Sequence, residues 1–203
     1  MNEILSNIKT RRSRREFIDK NIPEDEITRI IEAGRYAPSA LNKQPWRFVI
    51  ITNKETIRRL SEIVKTVSKK ILRFLPLLQI IKSSLRDEKV VAAIKKSATA
   101  ASDAVFFDAP LLILLLADGK EMYAAKDCAI ASQNMMLYAH SIGISSCYIG
   151  RADLLDLSRK ARKIIGMAPK MKIQAAVIFG YSPGITGAKI VERRTDNIIG
   201  WIK

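Results

Sequence analysis

Residues 111–117, LLILLLA, form an uninterrupted apolar run behind Pro110. A half-buried strand alternates apolar and polar side chains, so a run without alternation is covered on both faces. It is far too short for a bilayer-spanning helix, which needs about 20 apolar residues. A fully buried central strand explains it best, and such a strand demands layers above and below. Residues 46–52, 145–149 and 171–179 read as three further strands. Helical patterns separate them. Ile27, Ile30, Ile31 and Gly34 fall at helical spacing after Pro23, Glu24, Asp25 and Glu26, and Pro38 stops that helix. Residues 2–9 suit a short helix and 54–70 a basic one. Residues 121–142 suit a long helix, apolar on nearly all faces and so buried centrally or in a subunit interface, with Gly143 as its stop. Residues 97–107 read as another helical piece, and Asp153 as the cap of a helix running to Ile165. The stretch 71–96 is ambiguous: Leu72, Leu75, Leu78, Ile81 and Leu85 suggest a helix that Pro76 kinks or starts. Four strands among helices give a layered α/β arrangement. With no linker, repeat or low-complexity tract, residues 1–203 form a single domain.

Lys and Arg exceed Asp and Glu by 35 − 20 = 15. That charge has two readings: an anionic partner, such as a phosphorylated cofactor, nucleic acid or lipid surface, or a Lys-rich solvated surface. The chain holds Cys128, Cys147 and His140 and no others of those types, without metal-ligand spacing, so neither a zinc site nor an iron–sulfur cluster is expected. His140 and the two cysteines read as structural, and Asp127 as a residue that pins structure. No secretory signal pattern precedes the first helix, which points to a cytoplasmic, reducing location. The tail carries Ile198, Ile199, Trp201 and Ile202, an apolar patch that needs cover from a partner subunit or from its own domain.

Arg11, Arg12, Ser13, Arg14 and Arg15 precede an apolar anchor, Phe17. Guanidinium forks and a hydroxyl suit a phosphate monoester, although a solvated basic turn has the same composition. Residues 38–46, PSALNKQPW, make a polar loop running into a strand.

Taken together, residues 11–17 and 38–46 resemble the nitroreductase family, which carries an Arg-x-Ser-x-(Arg/Lys)-x-Phe element, a helix, and then Pro-Ser-x-x-Asn-x-Gln-Pro-Trp before a strand. Residues 127–150, and KIQAAVIFGYS followed by Arg193 and Arg194, extend the resemblance in order along the chain. The resemblance implies an α+β fold: a three-layer α/β/α domain with a central mixed sheet, dimeric, with an exchanged C-terminal tail. It implies FMN at the dimer interface and NADH or NADPH as reductant, with hydride passed to a small acceptor such as a nitroaromatic or quinone. Arg11, Ser13 and Arg15, with Arg12 beside them, would take the phosphate and ribityl chain. Pro38, Ser39, Ala40 and Asn42 would meet the ring from the partner subunit. Tyr148, Ile149 and Gly150 would bring backbone to the ring near N5. Arg193 and Arg194 would return charge to the phosphate. The chain departs from relatives that place an Asn and a Lys after the first strand, so the cation at N1 falls to Arg15 or, second, Lys69. The stripe at 71–85 is packing or a lid over the flavin. Rival readings are an FMN protein of the same fold that cleaves flavin or dehalogenates, and a basic nucleic-acid-binding protein. The latter lacks any helix-turn-helix, RNP-like or zinc-finger signature. No specific nucleic acid and no membrane partner is expected.

Overall fold

The computed structural model describes residues 2–184, 190–194 and 196–202. Seven α-helices and four strands are found among them, in the order α1 (Glu3–Thr10), α2 (Glu24–Arg35), β1 (Arg47–Ile51), α3 (Lys54–Arg73), α4 (Leu75–Ile81), α5 (Glu88–Thr99), β2 (Leu111–Asp118), α6 (Ala124–Ser141), β3 (Ser145–Tyr148), α7 (Arg159–Ile165) and β4 (Met171–Gly180). No helix among the described residues is long and apolar enough to cross a membrane.

The sheet order is β1-β2-β4-β3, so the apolar run lies at the centre of the sheet. Side chains on a strand alternate between faces. Leu111, Ile113 and Leu115 enter one core with α2 and α6 through Ile30, Ala131 and Met135. Leu112, Leu114 and Leu116 enter a second core with Ile57, Leu60 and Val64 of α3 and Ala161 of α7. Two helical layers covering both faces explain a strand with no polar alternation, and they give the expected three-layer α+β fold.

The pairing is antiparallel between every two neighbouring strands. The expected mixed character reduces, among the described residues, to one isolated parallel bridge between Ser13 and Ser146. A continuous apolar run resembles a parallel strand because both kinds are buried on two faces when helices cover them. Between Leu115 and Leu116 the register slips by a residue, with partners Ala175 and Ile173, and such a bulge bends the sheet locally.

Two local expectations are corrected. Residues 97–107 are not a helix: α5 ends at Thr99, and turns follow. Asp103 directs that chain instead, since its carboxylate accepts hydrogen bonds from the amides of Val105 and Phe106, both at 2.9 Å, and from Ser61 Oγ at 2.5 Å. Asp153 caps no long helix: residues Gly150–Leu157 form 3-10 turns, and Ser158 caps the shorter α7 by accepting from the Ala161 amide at 3.3 Å. Gly166, with φ of 71°, closes α7 as expected. Within the chain α6 buries one face, so central burial, one of the two expected places for it, is met on that face alone. Ala124, Cys128, Ala131, Met135 and Ala139 face the core, whereas Ile130 is 42% exposed. In the ambiguous stretch Pro76 starts a helix, α4, in which no residue is buried.

Candidate functional site

Segment 11–18 is stitched to the rim of the sheet. Ser13 bridges Ser146 of β3, and the Arg14 amide donates to the Ser146 carbonyl at 3.1 Å. The Ile18 amide donates to the Tyr181 carbonyl at 2.8 Å, and Ser182 Oγ donates to the Glu16 carbonyl at 2.6 Å. The Phe17 ring fills the space above Gly180, where a Cβ would stand 2.6 Å from it. The anchor read from sequence therefore holds the basic cluster in place through a glycine that admits the ring.

The cluster gathers more charge than its own five residues. Burial pushes the Arg11 guanidinium below its ordinary value, and the charges of Arg12 and of Arg193 in the tail push the same way. Arg15 lies 5.9 Å from the centre of the Phe107 ring, and Arg151 feels the charge of Arg15. Arg11, Arg14, Arg15 and Arg193 form no salt bridge among the described residues. Arg11 Nη1 and the Ser146 hydroxyl are buried without a hydrogen-bond partner. Such groups carry a desolvation penalty until a partner arrives. The closed space against Arg11 and Ser146 is about 10 Å³, room for one water. The volume that can take a larger anion is a neighbouring cleft of about 310 Å³ along Ser13 and Arg15, with Ser182 and Pro183 as its far wall. Unpaired guanidinium forks, an unsatisfied hydroxyl and an open cleft match the needs of a phosphate monoester.

The predicted residues divide by location. Arg12 turns its Nη1 back onto the end of α1, donating to the carbonyls of Lys9 at 2.9 Å and Arg11 at 2.8 Å. Of the tail pair, Arg193 shares the field at Arg11, while Arg194 leans to Asp196 at 3.4 Å. Tyr148, Ile149 and Gly150 follow directly from the Ser146 and Cys147 end of the cluster. The Ile149 amide is spent on the Ala176 carbonyl at 2.8 Å. A Cβ at Gly150 would meet nothing within 4 Å, so a flat ring has room to reach the backbone there.

Pro38, Ser39, Ala40 and Asn42 lie elsewhere in the chain's own fold. The Ala40 amide donates to the buried Asp127 carboxylate at 3.3 Å, and Lys43 meets Glu121 at 2.9 Å, which ties this loop to the start of α6. The Arg cluster adjoins the other end of α6, where His140 lies 2.9 Å from Thr10 Oγ1. Burial, then the charges of Arg11, Arg12 and Arg14, lower the His140 pKa from 6.5. Asp127 and His140 are 140 − 127 = 13 residues apart, about 20 Å along a helix. One chain therefore does not bring its two motifs together. The loop is also held in an unusual shape: Leu41, Asn42 and Gln44 have φ of 54°, 51° and 46°. Gln44 Nε2 donates to Asn42 Oδ1 at 2.9 Å, and left-handed backbone of this kind persists where surrounding structure enforces it.

Sequence reading missed Arg151, Phe107 and Ser146. Arg151 donates to the carbonyls of Ala93 at 2.8 Å and Ala104 at 2.9 Å, clamping α5 and the 100–110 turns behind the cluster. Its signal was only an arginine after Gly150. Lys69, the second N1 candidate, is exposed on α3.

The nitroreductase family model matches residues 8–181. A protein of Methanothermobacter thermautotrophicus, provisionally named an NADH dehydrogenase/NAD(P)H nitroreductase, is 28% identical over 184 residues, covering 88% of this chain and 77% of that protein. The crystal structure of a nitroreductase with bound FMN from Bacteroides fragilis covers 100% of both chains at 29% identity, with a TM-score of 0.79. The nitroreductase structure from Desulfitobacterium hafniense shares the fold at 23% identity and a TM-score of 0.76, again covering 100% of both chains. On the family match across residues 8–181 and the layered fold that frames the arginine cluster, this chain belongs to the nitroreductase family.

Proposed function

We propose that this chain is an FMN-dependent NAD(P)H oxidoreductase that works as a homodimer and reduces a small acceptor. The observation that carries the reading is the group of guanidiniums without anionic partners beside the buried, unsatisfied Arg11 Nη1 and Ser146 hydroxyl. The FMN in the Bacteroides fragilis relative supports the choice of anion. FMN, when bound, would supply the chemistry of hydride transfer at its N5 from a reduced nicotinamide to an acceptor, so no catalytic side chain is needed.

The chain's own residues bind and orient. Arg11, Ser13, Arg15 and Arg193 hold the phosphate and ribityl chain. Arg12 contributes charge from the end of α1, and Arg194 stands next to Arg193. Tyr148, Ile149 and Gly150 offer a low wall against which a ring lies flat. Arg15 would be the first candidate for the cation at the ring's N1 edge, and Arg151, which feels the charge of Arg15, would add to its field. Pro38, Ser39, Ala40 and Asn42 reach the ring of the opposite subunit, a division of labour favoured by the roughly 20 Å of α6 between the two motifs. Tyr36, Leu41, Met122 and Ile130 are exposed at 81%, 88%, 81% and 42%. Apolar side chains in that number support a subunit contact on the α6 side of the molecule. The described tail residues, with Ile199 and Ile202 fully exposed, support an exchanged tail.

The test is an anaerobic titration of the FMN-loaded protein with NADH and with NADPH. The visible flavin bands should bleach with one or both and return on adding a nitroaromatic or quinone, with the flavin intact by mass. Bands that persist with both nicotinamides would end the reductase reading; a cleaved flavin or a halide-releasing reaction would move the protein to another chemistry on the same fold.

A further inference from the structure

A separate groove of about 870 Å³ runs between α3, α4 and residues 157–160. It shares no lining residue with the cleft at Ser13 and Arg15. Its floor is aliphatic: Ile63, Val67 and Ile71 from α3, Leu77 and Leu78 from α4, and Leu157. The floor is not closed over, since Leu77 is 60% and Leu157 65% exposed, and Phe74 at its hinge end is 53% exposed.

The rim has one predominant sign. Arg59, Lys70, Arg159 and Lys160 line it, and none is in a salt bridge among the described residues. Arg58 is drawn to Asp108 at 3.2 Å, and Glu62 to Lys65 at 2.7 Å. Glu55 is left as the rim carboxylate without a pair among the described residues. An apolar trough under an excess of unneutralised cations complements a molecule with a hydrocarbon body and an anionic head. Its size falls within the roughly 300–1,000 Å³ typical of small-molecule sites. The chain's own tail is a poorer match, because Glu192 and Asp196 offset Arg193 and Arg194, and Arg194 already leans to Asp196, so the tail brings no net negative charge to a cationic rim. A concave floor also favours a single inserted chain over a flat bilayer surface.

We propose that this groove binds one acyl chain carrying an anionic head, of the fatty-acid carboxylate class. The carboxylate meets Arg159, Lys160 or Arg59 at the rim, and the chain lies along Ile63, Val67, Ile71 and Leu157. The site is independent of the flavin reading, since its residues are outside the arginine cluster.

Calorimetry on the full-length, FMN-loaded protein tests it, with dodecanoate kept below micelle formation. Saturable binding of a single dodecanoate per chain is expected, with a negative heat-capacity change from apolar burial. Dodecyltrimethylammonium should bind at least about tenfold more weakly, and so should dodecanoate to R159E/K160E, the factor that reversing two partly exposed charges implies. Leu157→Asp should weaken dodecanoate binding too, and flavin content should stay unchanged in both variants. The proposal fails if dodecanoate shows no saturation, if the cationic amphiphile binds equally well, or if only phosphatidylglycerol vesicles bind. It also fails if Leu157→Asp converts a dimer to a monomer in light scattering, which would make the groove a subunit contact. Wild-type protein that binds dodecanoate but takes up no FMN would count against the flavin site alone, whereas flavin loss in either groove variant would contradict the independence of the groove.

Discussion

Arg11 shows how one residue is made sensitive to an anion. Its guanidinium is partly buried, faces Arg12 and Arg193, and keeps one nitrogen without a partner. The neighbouring His140 reports on the same field, because burial and then Arg11, Arg12 and Arg14 hold its pKa below 6.5. His140 is also the lone histidine in the chain, so a single imidazole resonance follows it. In the flavin-free protein that resonance should titrate below 6.5. FMN, whose phosphate offsets the arginine charges, should move the midpoint up. A midpoint unmoved by saturating FMN would place the phosphate away from Arg11. The stability consequence has a definite sign. A histidine held neutral in the fold is protonated first in the unfolded chain, so its contribution is complete above pH 6.5 and is lost as the pH falls toward the folded pKa. The urea midpoint of the flavin-free protein should therefore drop between pH 7 and pH 5, and the drop should shrink in His140→Gln.

Elements were legible where their signals were local and periodic, and the site residues follow the same division. The unbroken burial of β2, the helical spacing of Ile27, Ile30, Ile31 and Gly34, and the glycine stops at Gly143 and Gly166 all correspond to structure. Residues 97–107 misled because Ala, Val and Phe around Asp103 look helical, whereas the Asp103 carboxylate competes for the nearby amides and sets turns with φ of 58° at Phe107 and 50° at Asp108. Composition does not reveal that competition, nor the reach of Arg151 to carbonyls 58 and 47 residues away. Asp103→Ala should lower the unfolding free energy by about 2–4 kcal/mol, since several donors lose one acceptor. Denaturant unfolding checks this, and a change under about 0.5 kcal/mol, the range of an ordinary surface substitution, would deny the carboxylate its role. Gly180→Ala should cost about 1–3 kcal/mol by overpacking, because the new methyl would stand 2.6 Å from Phe17 and 2.8 Å from Pro110. It should also loosen FMN, because Phe17 anchors the basic segment. Unchanged stability and unchanged flavin affinity would remove the anchor from the account.

The whole molecule carries +15 and leaves its tail and the α6 side rich in exposed apolar groups. The two motifs assigned here to the flavin lie at opposite ends of an 18-residue helix, so the proposed site would take a second copy to complete it. Sedimentation should give about twice 22.8 kDa. Removing residues 190–203 should shift the protein toward 22.8 kDa and release FMN with it; a truncated chain that remains dimeric with full flavin would refute the exchanged tail. Sequence motifs pointed to the family at this scale, yet separation of the two motifs along α6 became visible only in the fold, because sequence order says nothing about which end of a helix a loop meets. The measurement that bears most directly on the central electrostatic claim compares FMN with riboflavin, which lacks the phosphate, on the wild type and on R11A/R15A. Each lost charge-assisted hydrogen bond is worth about 1.5–3 kcal/mol, so the wild type should prefer FMN by at least about 100-fold, and the double variant should lose most of that preference while its riboflavin affinity holds. Equal affinity of the wild type for the two flavins, or a preference untouched in the double variant, would contradict the account.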